Sequence, residues 1–191
     1  MIDTTTNIIS WEEYLDMFDQ IINADSPAAP YDNPDYFQYT KLNNSRMLRW
    51  LKTGTITEET ATVINNIKEP QTWYLILEPW CGDAAHLTPF IQKMAALNAN
   101  IDLKIVLRDT EPFMIDDYLT NGGKSIPKLV IRDADGKDLH VWGPRPVKAQ
   151  ELYLQLKEAN KDLEEQKLEL QKWYNKDKGE EIQKEFRDIL G

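Results

Sequence analysis

Hydrophobic positions follow a helical period in the first part of the chain, whereas strand and helix patterns alternate in the second part. Ser10 and Glu13 form a capping-box pattern, which predicts that a helix begins after Ser10. The hydrophobic face of this helix recurs at helical spacing and comprises Trp11, Tyr14, Leu15, Phe18 and Ile21. The chain therefore begins with an amphipathic helix that has one side to bury.

Two more helices are predicted before residue 70. Asn33 precedes Pro34, which is typical of an N-cap followed by the first helical position. This second helix runs to about Leu51, and the third begins near Thr57. We expect residues 1–70 to form a helical N-terminal extension that packs on a core.

From about residue 71 the pattern changes to strand, helix, strand, which is typical of an α/β core. The predicted strands are Trp73–Leu77, Ile101–Leu107, Leu129–Ile131 and Leu139–Trp142. A helix follows Cys81, a short helix occupies 113–120, and Asp135-Gly136 makes the hairpin turn before the last strand. We expect residues 71–157 to form this core.

A long C-terminal helix is predicted from about Val147, and a last short helix follows Gly179. The long helix carries a hydrophobic seam whose residues are spaced alternately four and three apart: Leu152, Leu156, Ala159, Leu163, Gln166, Leu170 and Trp173. Either the helix docks on its own domain, or the seam forms a homodimer or binds a partner. The alanine and glutamine in the seam favour docking. Residues 158–191 are the predicted C-terminal extension.

The charge balance limits the classes of partner. The chain carries 22 Lys+Arg against 32 Asp+Glu, a formal net charge of -10, and has no basic stripe. This balance argues against a nucleic-acid partner. A membrane-spanning helix needs about 20 consecutive apolar residues, and no apolar run in the sequence approaches that length. The first residues lack the pattern of a signal peptide. The expected location is cytoplasmic, with no membrane partner.

The single cysteine, Cys81, lies where a predicted strand turns into a helix. A thiol at a helix N-terminus faces unpaired N–H groups and the positive end of the helix dipole, which favours thiolate. Asp83 and Glu78 oppose this effect, whereas Arg145 either neutralises Asp83 or supports the Cys81 thiolate directly. Because the helix end contributes only about 0.3–1 kcal/mol, the sequence leaves the direction of the net pKa shift open.

Four features of the second half resemble the thioredoxin superfamily. They are Trp80-Cys81-Gly82 after a buried strand, Pro89 in the next helix, Ile126-Pro127 at the start of a strand, and Gly143 at the end of the hairpin. The longer strings Glu78–Ala84, Leu119–Gly123 and Trp142–Pro146 are similar to an uncharacterised bacterial branch with Trp-Cys-Gly-Asp-Ala in place of Cys-x-x-Cys. The resemblance implies an α/β fold with a thioredoxin-like sheet flanked by helices and a cis Ile126–Pro127 bond. Thr53–Ile56 is the candidate for the family's first strand.

In such a sheet the ends of several strands meet at one edge, where open α/β sheets bind ligands. The resemblance and this topology imply a site with Cys81 as the catalytic residue. The predicted site-lining residues are Trp80, Gly82, Asp83, Asp109, Ile126, Pro127, Gly143 and Arg145.

Two chemical parts of a thioredoxin are missing. A dithiol oxidoreductase needs a resolving cysteine three residues after the nucleophile, and Ala84 stands there. Leu75 stands where thioredoxins carry a buried carboxylate. The leading hypothesis is a monothiol redox role for Cys81, through a mixed disulfide with an unknown protein or a low-molecular-weight thiol. The alternative is a non-catalytic binding module that has lost redox activity.

A metal site built from Cys81, Asp83, His86 and Asp109 is the least favoured hypothesis, because their spacing matches no closed tetrahedral site. His86 lies about 140° around the helix from Cys81 and is expected to be a packing or surface residue. We therefore expect no metal and no cofactor.

Overall fold

The computed structural model describes residues 7–191, and within them it contains one five-stranded sheet and seven α-helices. The strands are β1 (Ile8–Ile9), β2 (Gln71–Leu77), β3 (Ile101–Leu107), β4 (Lys128–Asp133) and β5 (Asp138–Trp142). Their order is β1-β3-β2-β4-β5, with β2 and β3 parallel and the other neighbours antiparallel. This arrangement confirms the predicted α/β class.

The helices begin where the sequence provides caps. They are α1 (Trp11–Ile22), α2 (Pro34–Thr53), α3 (Glu58–Asn65), α4 (Gly82–Ala95), α5 (Val147–Glu158), α6 (Leu163–Asp177) and α7 (Glu180–Leu190). The capping box of Ser10 and Glu13 is confirmed, with both reciprocal hydrogen bonds present. Asn33 caps α2 by accepting from the Asp35 amide, and Pro34 occupies the first helical position.

The edge of the sheet that carries the site is set by the strand directions. β2 ends at Leu77, and the chain passes Cys81 before α4 begins. β3 ends beside β2, because Leu107 pairs with Leu77. β4 runs in the opposite direction and begins at the same edge, where Lys128 pairs with Ile76. The segments after β2 and before β4 therefore meet there.

The first strand is not where the sequence indicated. Thr53 is the last residue of α2, Gly54 caps it, and Thr57 caps α3, so Thr53–Ile56 is a link between helices. The strand β1 pairs antiparallel with β3 instead, with Ile8 opposite Val106. Two residues are too short for an alternating pattern, so only the pairing with β3 identifies this strand.

The prediction of one long C-terminal helix is wrong, because two helices, α5 and α6, pack against each other in its place. Asn160 has a left-handed backbone with a φ of 52°, and Asp162 begins α6 by accepting from the Glu165 amide. This turn interrupts the seam on which the homodimer hypothesis rested. The short helix predicted at 113–120 is a 3₁₀ helix over Met114–Asp117.

The helices before and after the core pack on it. The helix α2 contacts α4, and α3 contacts α7. In α7, Phe186 is fully buried with its ring 5.7 Å from the ring of Trp73 and 5.6 Å from that of Trp142. Among the helices of residues 7–191, none combines the length and hydrophobicity needed to span a bilayer.

Candidate functional site

Cys81 is the N-cap residue of α4 and is buried by the residues around it. Its side chain is 7% exposed, and no helix amide bonds to it in the manner of a capping side chain. The Sγ–H donates to the Ile126 carbonyl oxygen at 3.5 Å, and the Ile126–Pro127 peptide bond is cis. The structure thus brings together the segment before α4 and the segment before β4.

The surroundings of Cys81 favour the neutral thiol. Burial and the negative charge of Asp83 raise the pKa of Cys81 to about 12. The amides of Ala84 and Asp83 and the Arg145 guanidinium lower this pKa, as expected at a helix N-terminus, but their effect is smaller. The net shift of the Cys81 pKa, whose direction the sequence left open, is therefore upward.

Asp83 connects the core to the C-terminal helices. Its Oδ2 lies 2.6 Å from Nη2 of Arg145, and its Oδ1 accepts from the Tyr174 hydroxyl at 2.7 Å. The two charged side chains are 12% and 15% exposed, so this ion pair is largely shielded from water. The guanidinium also lies over the Tyr153 ring, 4.3 Å from its centroid. These contacts hold Arg145 close to Cys81.

A cleft of about 970 Å³ opens above Cys81. The helices α2 and α6 provide its walls, and the segments around Cys81 and Ile126 provide its floor. Six of the predicted site residues line it: Trp80, Cys81, Gly82, Asp83, Ile126 and Arg145. A volume of this size is in the range of small-molecule sites.

Three predicted site residues are not among those that line the cleft. Asp109 forms an ion pair with its neighbour Arg108 at 2.7 Å. Gly143 has a φ of 107°, and a Cβ there would collide with the Pro127 carbonyl oxygen. Gly143 therefore packs so closely against the Pro127 carbonyl, at the start of β4, that position 143 has no room for a side chain.

Sequence reasoning missed the residues that the outer helices contribute. Arg46 on α2 lines the cleft and donates to Asn43 Oδ1 at 3.0 Å and to Gln171 on α6. Tyr36 packs on Trp80 with ring centroids 5.5 Å apart, and Tyr174 reaches Asp83 from α6. No motif marks these residues, because only the packing of α2 and α6 brings them to Cys81.

His86 is a packing residue, as expected, and is 3% exposed. Its Nδ1 accepts from the Trp50 indole at 3.0 Å, and its ring stacks on Tyr174 with centroids 4.6 Å apart. Burial and the nearby Arg46 and Arg49 lower the pKa of His86 to about 3, so its ring is neutral. Within residues 7–191, no group of three or more His, Cys, Asp or Glu is placed to hold a metal ion.

Glu78 is the buried carboxyl group of this edge, although it does not line the cleft. It is 6% exposed, and its Oε1 accepts from the Asp109 amide at 2.8 Å. Burial raises the pKa of Glu78 to about 7, against the effect of this hydrogen bond. The Glu78 side chain therefore exchanges its proton near neutral pH.

Comparison with known proteins supports the fold. A family model described as thioredoxin matches residues 29–161. A crystal structure of a protein of unknown function from Pseudomonas aeruginosa is 14% identical, with a TM-score of 0.53, and the match covers 95% of this chain and 97% of that one. An HIV epitope scaffold is 13% identical, with a TM-score of 0.53 and coverage of 95% and 98%. No curated protein sequence matches the chain.

These similarities concern the fold, since the identities are low. The family match extends into both predicted extensions. The division at residues 70 and 157, the bacterial branch and the cytoplasmic location stay predictions.

Proposed function

The chain belongs to the thioredoxin superfamily, and we propose that it is a binding member of it, with a ligand site in the cleft above Cys81 and a thiol that stays protonated. The ligand in this proposal lies between α2 and α6 and covers the segment around Cys81. The proposal takes up the alternative of a binding module rather than the redox role.

The observation that carries this proposal is the state of Cys81. The thiol is 7% exposed, donates its hydrogen to the Ile126 carbonyl and has a pKa raised to about 12. At neutral pH the thiol is then almost entirely protonated. Since the thiolate is the reactive form, this arrangement disfavours attack on a disulfide. Ala84 also provides no second thiol to release a bound partner.

A monothiol redox role is the second candidate, because Cys81 lines the cleft and Arg145 stabilises its thiolate. In that reaction the Cys81 thiolate attacks one sulfur of a small or protein disulfide. The new S–S bond joins Cys81 to that sulfur, and the other sulfur leaves as a thiolate. A second external thiol then attacks the mixed disulfide and restores Cys81. This route requires a change that exposes Sγ and lowers its pKa.

The rate of Cys81 alkylation as a function of pH distinguishes the two candidates. We expect a midpoint well above that of the unfolded chain and slow reaction at neutral pH, because burial penalises the thiolate. Asp83→Asn removes the charge that adds to this penalty, so its midpoint shifts downward from that of the parent. A midpoint below that of the unfolded chain, with fast reaction near neutrality, would establish the redox candidate instead.

A further inference from the structure

Unpaired polar atoms concentrate in the cleft. Five buried side-chain polar atoms of the described residues have no hydrogen-bond partner, and four of them belong to side chains that line the cleft. These four atoms are Arg46 Nε, Trp80 Nε1, His86 Nε2 and Arg145 Nε. Buried polar groups of folded proteins are normally paired, so these four atoms are donors whose hydrogen bonds a ligand could complete.

All four atoms are hydrogen-bond donors. Arginine and tryptophan nitrogens carry hydrogen and accept nothing. His86 is neutral and its Nδ1 accepts from the Trp50 indole, so its remaining hydrogen is on Nε2. The His86 side chain is 3% exposed, and its unpaired N–H belongs to a residue of the cleft. The complementary ligand is therefore rich in acceptor oxygens.

The charges of the cleft contrast with the net charge of -10 of the whole chain. Five cationic side chains line it: Arg46, Arg108, Lys124, Arg145 and Lys167. Three carboxylates share the lining: Asp35, Asp83 and Glu164. Four of the cations form ion pairs, with Asp109, Asp116, Asp83 and Glu164 respectively. Asp109 and Asp116 lie outside the lining, so the five cations stand beside five carboxylates, and among the described lining cations Arg46 has no ion pair.

Arg46 is the cation best placed to exchange partners. Its guanidinium donates to the neutral amide oxygens of Asn43 and Gln171. Hydrogen bonds from a guanidinium to a carboxylate are roughly twice as strong as bonds to neutral acceptors, so an acid in the cleft competes well for it. The unpaired nitrogens of Arg46, Trp80 and Arg145 are all covered by neighbouring atoms, so each of these side chains has to shift before its N–H meets a ligand.

We propose that the cleft binds a small organic acid, whose carboxylate and carbonyl oxygens accept hydrogen bonds from Arg46, Trp80 and Arg145. The inference rests on the proposed function, in which the cleft is a ligand site, and it specifies the chemical class of the ligand. The volume of about 970 Å³ suits a small molecule of this class.

Three probes of nearly constant shape test this inference: N-acetylglutamate, N-acetylglutamine and N-acetylglutaminamide, which carry two carboxylates, one and none. Each is titrated into the full chain with ¹⁵N-labelled tryptophan, and the indole N–H resonances are followed by NMR. We expect the Trp80 indole signal, assigned with Trp80→Phe, to shift with the acids. Affinity falls by about tenfold for each carboxylate removed, as for a lost charge-assisted contact.

Two matched variants localise the binding. Arg46→Gln and Arg49→Gln each remove one positive charge from α2 and one hydrogen bond to α6, since Arg49 donates to Asn175 at 2.6 Å. Arg49 does not line the cleft. We expect Arg46→Gln to weaken N-acetylglutamate binding by about tenfold or more and Arg49→Gln to change it by less than about twofold.

Equal affinity for all three probes, no shift of the Trp80 indole, or equal effects of the two variants would overturn the inference. These outcomes leave the alkylation profile of Cys81 unchanged, so they do not decide the proposed function. Conversely, fast alkylation at neutral pH together with selective acid binding would replace the proposed function and keep the acid site.

Discussion

At the scale of single residues, burial outweighs the helix N-terminus at Cys81. The rise of the thiol pKa from its ordinary value of 9.0 to about 12 corresponds to about 4 kcal/mol. A helix end stabilises a charge by only about 0.3–1 kcal/mol, and Asp83 acts in the opposite direction. The position of a thiol at the start of a helix is therefore insufficient to make it reactive.

Glu78 provides a prediction at the same scale. Its pKa is raised from 4.5 to about 7 in the folded protein, so the folded state keeps a proton that the unfolded chain has lost between these values. Folding stability therefore falls as pH rises through this window. We expect Glu78→Gln to be more stable than the parent by up to about 3 kcal/mol at about pH 8.

Denaturant unfolding at a series of pH values measures this difference. At about pH 4 both side chains are neutral, and the two proteins should have similar free energies of unfolding. A difference that stays constant from pH 4 to pH 8 would show that the effect of the substitution does not come from the ionisation of Glu78.

At the scale of elements, the turn between α5 and α6 decides what the C-terminal part does. A continuous helix would carry Leu163 and the following residues away from the core. The left-handed Asn160 and the cap at Asp162 reverse the chain, and α6 then forms a wall of the cleft opposite α2. Leu163 is 62% exposed whereas Leu170 is 7% exposed, so the seam predicted from spacing is not buried along its whole length.

The cap of α6 is testable by substitution. Asp162 accepts from the Glu165 amide at 2.8 Å, and we expect Asp162→Ala to lower the free energy of unfolding by about 1 kcal/mol. Asp162→Asn keeps an acceptor of the same size and should stay within about 0.5 kcal/mol of the parent. Equal losses in the two variants, measured by urea unfolding, would contradict a capping role.

At the scale of the whole molecule, the helices outside the central sheet complete the site. Arg46 comes from α2, Tyr174 from α6, and Asp83 and Arg145 from the core between them. The family model ends at residue 161, before α6 begins. The wall that α6 forms therefore lies outside the part of the chain that the family model matches.

A substitution at Phe186 in α7 tests whether the C-terminal helices and the core unfold together. The residue is fully buried against Trp73 and Trp142, so we expect Phe186→Ala to lower the free energy of unfolding by about 3–5 kcal/mol. Far-UV circular dichroism and tryptophan fluorescence should still give one coincident transition. Leu154→Ala, at a 47% exposed position, should have an effect within about 0.5 kcal/mol.

Separate transitions for the two probes would show that the C-terminal helices unfold independently of the sheet. That result would support the predicted boundary near residue 157 as the division between two parts of the chain that unfold separately.

The sequence by itself determined most of the local structure and indicated the family, although it missed the strand β1 and the break between α5 and α6. Hydrophobic spacing, the Ser10 and Asn33 caps and the Asp135-Gly136 turn depend on neighbours within a few residues, and each predicted its element. The motif around Cys81 indicated the thioredoxin fold. Only the tertiary structure decided the burial of Cys81 and the membership of Arg46 and Tyr174 in the cleft. Those properties depend on packing between segments distant in the chain, and a pKa depends on the surroundings that this packing creates.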